Sequence, residues 1–158
     1  MRMFLDSFGK EFEAIHQGSL ELLQRTSDDD LYRRPREFPK TFTMFTVGEY
    51  ILRSAATVEQ TFGGITTRLW DDPFEWTLPE KLSTLDLVIG YLDEVAATQR
   101  RGLEFLTSDD DLQKRIPAPT EIKTIFDVLL ETTSRARHYQ GRAFAVFQML
   151  SDEKLPRV

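Results

Sequence analysis

The segment at residues 122–150, IKTIFDVLLETTSRARHYQGRAFAVFQML, is the longest in the chain that reads as one uninterrupted helix. Positions 122, 126, 129, 133, 136, 140, 143, 147 and 150 alternate steps of four and three and carry Ile, Phe, Leu, Thr, Ala, Gln, Ala, Phe and Leu. That spacing gathers one side chain per turn on a single face, as in a helix buried along one side of a bundle. The stripe is strongly apolar at its ends and small or polar in its middle. Beside the weak middle stand Glu131, Arg135, His138 and Tyr139, where a purely structural helix would carry Leu or Ile. This mid-helix band is the first place to look for a function, and the rest of the chain is read for what packs against it.

Three other segments carry comparable stripes. Near residues 3–26 it is Phe8, Phe12, Ile15, Ser19 and Leu22, with His16 one position off the stripe, on a flank or facing solvent. Near residues 46–70 it is Val47, Ile51, Ser54, Val58, Phe62, Ile65 and Leu69, opened by a Thr46/Glu49 capping box. The pair Gly63-Gly64 is expected to loosen the last turns, and Asp71-Asp72-Pro73 must end the helix. Near residues 83–106 Ser83 and Asp86 supply the cap, and the stripe Leu85, Val88, Leu92, Val95, Gln99, Leu103 and Leu106 is interrupted by one polar residue, Gln99. Thr120 is the expected cap of a fourth helix over residues 121–150.

The connections are longer than a simple up-down bundle requires, at roughly 12 to 20 residues against the usual two to eight. At least one long crossover is implied. The phrase Thr26-Ser27-Asp28-Asp29-Asp30-Leu31 returns as Thr107-Ser108-Asp109-Asp110-Asp111-Leu112, each time after one long helix and before a basic pair and a proline. The repeat predicts two helix pairs related by an approximate twofold. The acidic triplets lack the D-x-D-x-D-G spacing of a calcium loop, so they are read as helix caps. Phe74, Trp76 and Leu78 are expected to fold back as an apolar cap over one bundle end. Apart from residues 42–47 no stretch alternates with period two, so the fold class is all-α: a four-helix bundle with long crossover connections and pseudo-twofold helix pairs.

Composition narrows the function. A length of 158 residues predicts a single domain. A net charge of −6, from 20 basic and 26 acidic residues, argues against a nucleic-acid surface. No apolar run is long enough to span a membrane, and the acidic and basic residues of the first fifteen positions break any signal-peptide core, so a cytoplasmic protein is expected. With no Cys and two His, there is no thiolate nucleophile or Cys-based zinc site, and no cofactor is expected.

Residues 31–35 (LYRRP), 45–52 (FTVGEYIL) and 129–142 (LLETTSRARHYQGR) together resemble the DinB-like family, whose members read near the last of these L-L-H-x-x-N-H-x-x-H-H-R-G-Q. The resemblance implies a bundle holding zinc or nickel through one histidine of the second helix and an H-x-x-x-H pair of the fourth, for hydrolase or thiol-transferase chemistry. In this sequence those positions carry Arg53, Arg135 and Tyr139. Guanidiniums have no free lone pair and repel a dication, so the ligand set does not carry over and no metal is expected. Glu131 and His138 lie seven residues apart, about 10 Å along a helix, too far to chelate one ion by themselves.

Two arginines, a tyrosine and the neighbouring His138 and Glu131 then define a mid-bundle pocket suited to a small anionic ligand, because guanidiniums bind carboxylate, phosphate or sulfonate through forked hydrogen bonds. Ordinary helix ion pairs, Arg135 with Glu131 and Arg53 with Glu49, are the structural alternative. A residual hydrolase or thiol-transferase activity, with His138 or Glu131 as general base, is a further reading. A homodimer joined through Phe4, Phe144 and Met149 is also expected.

Overall fold

The computed structural model describes residues 1–35 and 44–157. Among them the chain forms long helices α1 (Met3–Gln24), α3 (Val47–Thr67), α4 (Leu85–Phe105) and α5 (Ile125–Leu150), with the one-turn helix α2 (Asp28–Leu31). A short antiparallel hairpin, β1 (Arg115–Pro117) and β2 (Ile122–Thr124), leads into α5. This is the all-α four-helix bundle, with helix α3 packed on α4 and α5, and α1 closing the ring against the same two. Of the residues 42–47 that alternate with period two, 42 and 43 lie outside the described residues, 44–46 form no strand, and α3 begins at Val47.

The stripes are the core. Leu129, Ala136, Ala143 and Phe147 of α5, Ile51, Phe62 and Ile65 of α3, Val88 and Leu92 of α4 and Phe12 and Leu22 of α1 are all buried. Across the diagonal of the bundle, the Phe12 ring meets Phe62 edge-on at 5.3 Å. Several polar side chains in or beside the stripes bond between helices: Ser54 donates to the Ala136 carbonyl at 2.8 Å, and Thr61 pairs with Thr132 at 2.7 Å. Gln140 donates to the Ile15 carbonyl at 2.6 Å and to Ser19 Oγ at 2.9 Å.

Several boundaries differ from the sequence reading. Helix α5 begins at Ile125, capped by Thr124, whose Oγ1 accepts from the Asp127 amide at 3.1 Å, and not at Thr120. The backbone before it is held by the hairpin, which sinks Ile116 into the core and leaves Ile122 60% exposed. Thr84, not Ser83, caps α4. Helix α3 stays regular through Gly63-Gly64 and stops at Thr67, where Arg68 takes a left-handed conformation with φ 61°. Gly64 makes room for the returning chain: a Cβ there would lie 2.4 Å from the Trp70 ring, whose Nε1 donates to the Pro117 carbonyl at 2.8 Å. Of the dimer residues, Phe4 and Met149 are half exposed, but Phe144 is buried, because α5 packs on two sides rather than along one stripe.

The repeated phrase does cap helices. Ser27 Oγ accepts from the Asp30 amide in the first copy, and Asp111 takes the Thr107 amide and hydroxyl in the second. Each copy also reaches into the other helix pair. Asp28, after α1, accepts the first amide of α4 (Leu85) at 2.7 Å; Asp109, after α4, accepts the Phe4 and Leu5 amides of α1 at 3.1 and 3.0 Å. Carboxylates at these amino ends satisfy donors that a helix leaves unpaired and complement its dipole. Leu31 and Leu112, at the ends of the two phrases, are both buried.

Candidate functional site

The crossover after α3 brings Asp71 to Thr77 back across the faces of α3 and α5. Between them lies a groove of about 240 Å³ lined by Arg53, Thr57, Asp72, Phe74, Thr77, Arg135 and Tyr139. Arg53 and Arg135 thus face one space, with Tyr139 one turn beyond Arg135 on the same face of α5.

Arg53 is half-buried and held by aromatic rings. Its guanidinium carbon lies 4.1 Å above the Phe45 ring and 5.8 Å from that of Phe74, within the range of cation–π attraction. Arg135 is exposed. The helix ion pairs that would have absorbed these charges do not form. Glu49 is occupied by its capping box, accepting the Thr46 amide at 2.8 Å and hydroxyl at 2.9 Å. Glu131 is taken by Lys123 of β2, at 2.7 and 2.8 Å, a partner that the hairpin supplies. Among the described residues neither guanidinium makes an ion pair within 4.0 Å. Asp72, the one carboxylate on the groove, spends Oδ1 on the Phe74 amide at 3.0 Å. Two guanidiniums against one carboxylate leave the groove net positive in a chain whose overall charge is negative.

Two residues named with this group from the sequence lie elsewhere. Glu131 borders a separate surface groove beside the hairpin. His138 is exposed, its ring edge-on to Tyr139 at 5.8 Å, and is not part of the lining. Position 138 is one step of about 100° around the helix from 139, which turns the imidazole away. Conversely, Asp72 and Thr77 were missed as lining residues, since Asp-Asp-Pro reads as helix termination. Phe74 was read as an apolar cap; it stands 53% exposed at the groove wall. Trp76 is tied down by an indole hydrogen bond to Glu59 at 3.3 Å, and Tyr91 donates to the same carboxylate at 2.5 Å.

The groove does not fit a divalent metal. Its nitrogen groups are guanidiniums, and among the described residues no three His, Cys, Asp or Glu side chains are placed to share an ion. No helix among the described residues is long and apolar enough to cross a membrane.

The bundle has the fold of a solved DinB-like protein. Among solved structures, the chain is similar to YjoA, a DinB-like protein from Bacillus subtilis, with a TM-score of 0.71 and 20% identity over 96% of each chain. No protein-family model matches the chain, and no curated protein matches it significantly.

Proposed function

We propose that this chain lacks the three-histidine metal site that its resemblance to the DinB-like family implies, and uses the corresponding groove to bind a small anion through Arg53 and Arg135. The observation that carries the reading is that both guanidiniums line one groove while their helical carboxylate neighbours are engaged elsewhere. Phe45 and Phe74 hold the Arg53 plane at the groove wall, so less side-chain freedom is lost when a ligand is gripped. Tyr139 adds a hydroxyl on the same lining, whereas the Thr57 hydroxyl donates to the Arg53 carbonyl at 2.9 Å. The ligand class is a carboxylate, phosphate or sulfonate.

Calorimetric titration with inorganic phosphate tests this. A charge-assisted hydrogen bond contributes about 1.5–3 kcal/mol when shielded, and an exposed charge pair about 0.2–1 kcal/mol. Arg53→Gln should therefore weaken phosphate by about tenfold or more, and Arg135→Gln by about two- to fivefold. Wild-type affinity matched by both variants would refute the assignment.

A homodimeric structural role is a second reading, favoured by an apolar groove of about 420 Å³ where α1 and α5 present Phe4, Phe8, Phe126 and Leu130. Light scattering on the wild type and Phe4→Glu separates it: a dimer that the substitution dissolves supports it, and a wild-type monomer at high micromolar concentration excludes it. The hydrolase or thiol-transferase alternative has less support, because neither His138 nor Glu131 lines the groove that holds the arginines.

A further inference from the structure

The interior holds a second space, distinct from the arginine groove. It is a chamber of about 30 Å³ among α1, α3 and α4, with apolar walls that include Ala55 and Ala96 and a polar lining of His16, Ser19, Ser54 and Gln99. Three of these polar groups have partners: Ser54 donates to Ala136, Ser19 accepts from Gln140, and His16 Nε2 lies 3.4 Å from Asp93 Oδ1. Gln99 is different. It is 4% exposed, and among the described residues its amide has no hydrogen-bonded protein partner. Gln140 in the α5 stripe, by contrast, uses both ends of its amide, donating to α1 and accepting from Arg137 at 3.0 Å. No side-chain polar atom among the described residues is both sealed and unpaired, so the Gln99 amide opens onto the chamber.

A buried primary amide offers two donors and an acceptor that must be met by something. A water needs about 10–15 Å³ of such space, so the chamber admits about two waters or one molecule of that size. Every lining residue is buried except His16, whose side chain is 11% exposed and faces the solvent-accessible Asp93. The imidazole therefore stands at the mouth.

We infer that this chamber is a binding site for a neutral hydrogen-bonding group the size of two waters, a primary amide or a hydroxymethyl, held by Gln99 and admitted past His16. Water fills it otherwise. Neutrality follows from the lining, which carries no fixed charge. Burial holds the His16 imidazole below its usual range; Glu13 and Asp93 oppose that shift and Arg100 adds to it, so His16 is uncharged at neutral pH. An anion would find in this chamber none of the guanidiniums of the other groove.

Formamide, with three heavy atoms, is the probe. In NMR titrations of the full chain, the Gln99 side-chain amide and the Ala96 methyl are expected to shift together and saturate, while exposed Gln17 shifts only linearly. Gln99→Met, close in shape, should keep the helical spectrum and lower the formamide affinity read at Ala96 at least tenfold. Should that variant fail to fold, Ala55→Val fills the chamber from the opposite wall and should abolish saturation with Gln99 intact. Linear shifts at Gln99 in the wild type, or a saturating Ala96 response that survives both substitutions, would overturn the inference. Phosphate binding should be unchanged in these variants, so the outcome is independent of the arginine groove.

Discussion

Gly102 of α4 packs against the Phe62 ring of α3, and a single methyl group there tests how closely the two helices approach. A Cβ at this position would lie 2.3 Å from Phe62 Cδ1 and 3.1 Å from its Cγ. Carbon atoms pack at about 3.5–4.0 Å, so the ring would have to retreat by roughly 1.2 Å. It has little room to do so, being fully buried with Phe12 against it at 5.3 Å. Overpacking of this kind costs about 1–3 kcal/mol. Alanine regains about 1 kcal/mol over glycine in a helix interior, so Gly102→Ala should be destabilising by about 0–2 kcal/mol. Gly90→Ala provides the control. It lies in the same helix with nothing within 4 Å of the added methyl, and should stabilise by about 0.5–1 kcal/mol. The propensity gain cancels between the two variants, so their difference isolates the steric cost of about 1–3 kcal/mol, or about 2–12 °C in melting temperature. Urea unfolding followed at 222 nm measures it. A Gly102→Ala protein as stable as Gly90→Ala would refute the close approach of α4 to Phe62.

Other outcomes follow from single contacts. Asp28→Ala and Asp109→Ala each remove a carboxylate that caps the opposite helix pair and should each cost about 0.5–2 kcal/mol by urea unfolding; a cost at only one would contradict the reciprocal arrangement. Tyr91→Phe removes the buried hydroxyl that anchors Glu59 and should cost about 1–2 kcal/mol, with altered Trp76 fluorescence because both groups share that carboxylate. Burial holds the Tyr91 phenol above its usual range, so it remains a donor and the contact should survive mild alkali. Lys114 and the Thr107 amide and hydroxyl hold the Asp111 carboxyl well below its usual range. The unfolded chain therefore binds this proton first: the stabilisation is complete above the ordinary carboxylate value of 3.8 and is lost as pH falls below it. Asp111→Asn should be less stable than wild type at pH 6, with a gap that narrows below about pH 4.

The bundle was legible in the sequence because four stripes of period 3.6 leave few alternatives, and the Thr46 and Ser27 caps could be read from residue type and spacing. The repeated phrase announced a twofold, yet not that Asp28 and Asp109 would each cap a helix of the other pair. That depends on contacts across more than fifty residues, which no local pattern encodes. The start of α5 was misplaced because Ile122, Lys123 and Thr124 fit a helical stripe as well as a strand, and pairing with β1 decided between them. Arg53, Arg135 and Tyr139 were traceable through their spacing and the family resemblance. The fates of Glu131 and Glu49 depended on Lys123 and on the Thr46 cap. His16, one position off its stripe, was assigned to a flank; the crossing of α1 over α4 places it at the mouth of an internal chamber. An isolated polar residue in a stripe, Gln99, was the signal that such a chamber existed.

In the proposed function two guanidiniums share one anion. NMR of the arginine Nε–Hε groups during a sulfate titration addresses it directly, because each guanidinium reports its own hydrogen bonding. Saturable shifts at Arg53 and Arg135 with a common dissociation constant, and none at exposed Arg101, are the predicted result. Shifts that are linear, or a saturable response at only one of the two, would contradict it.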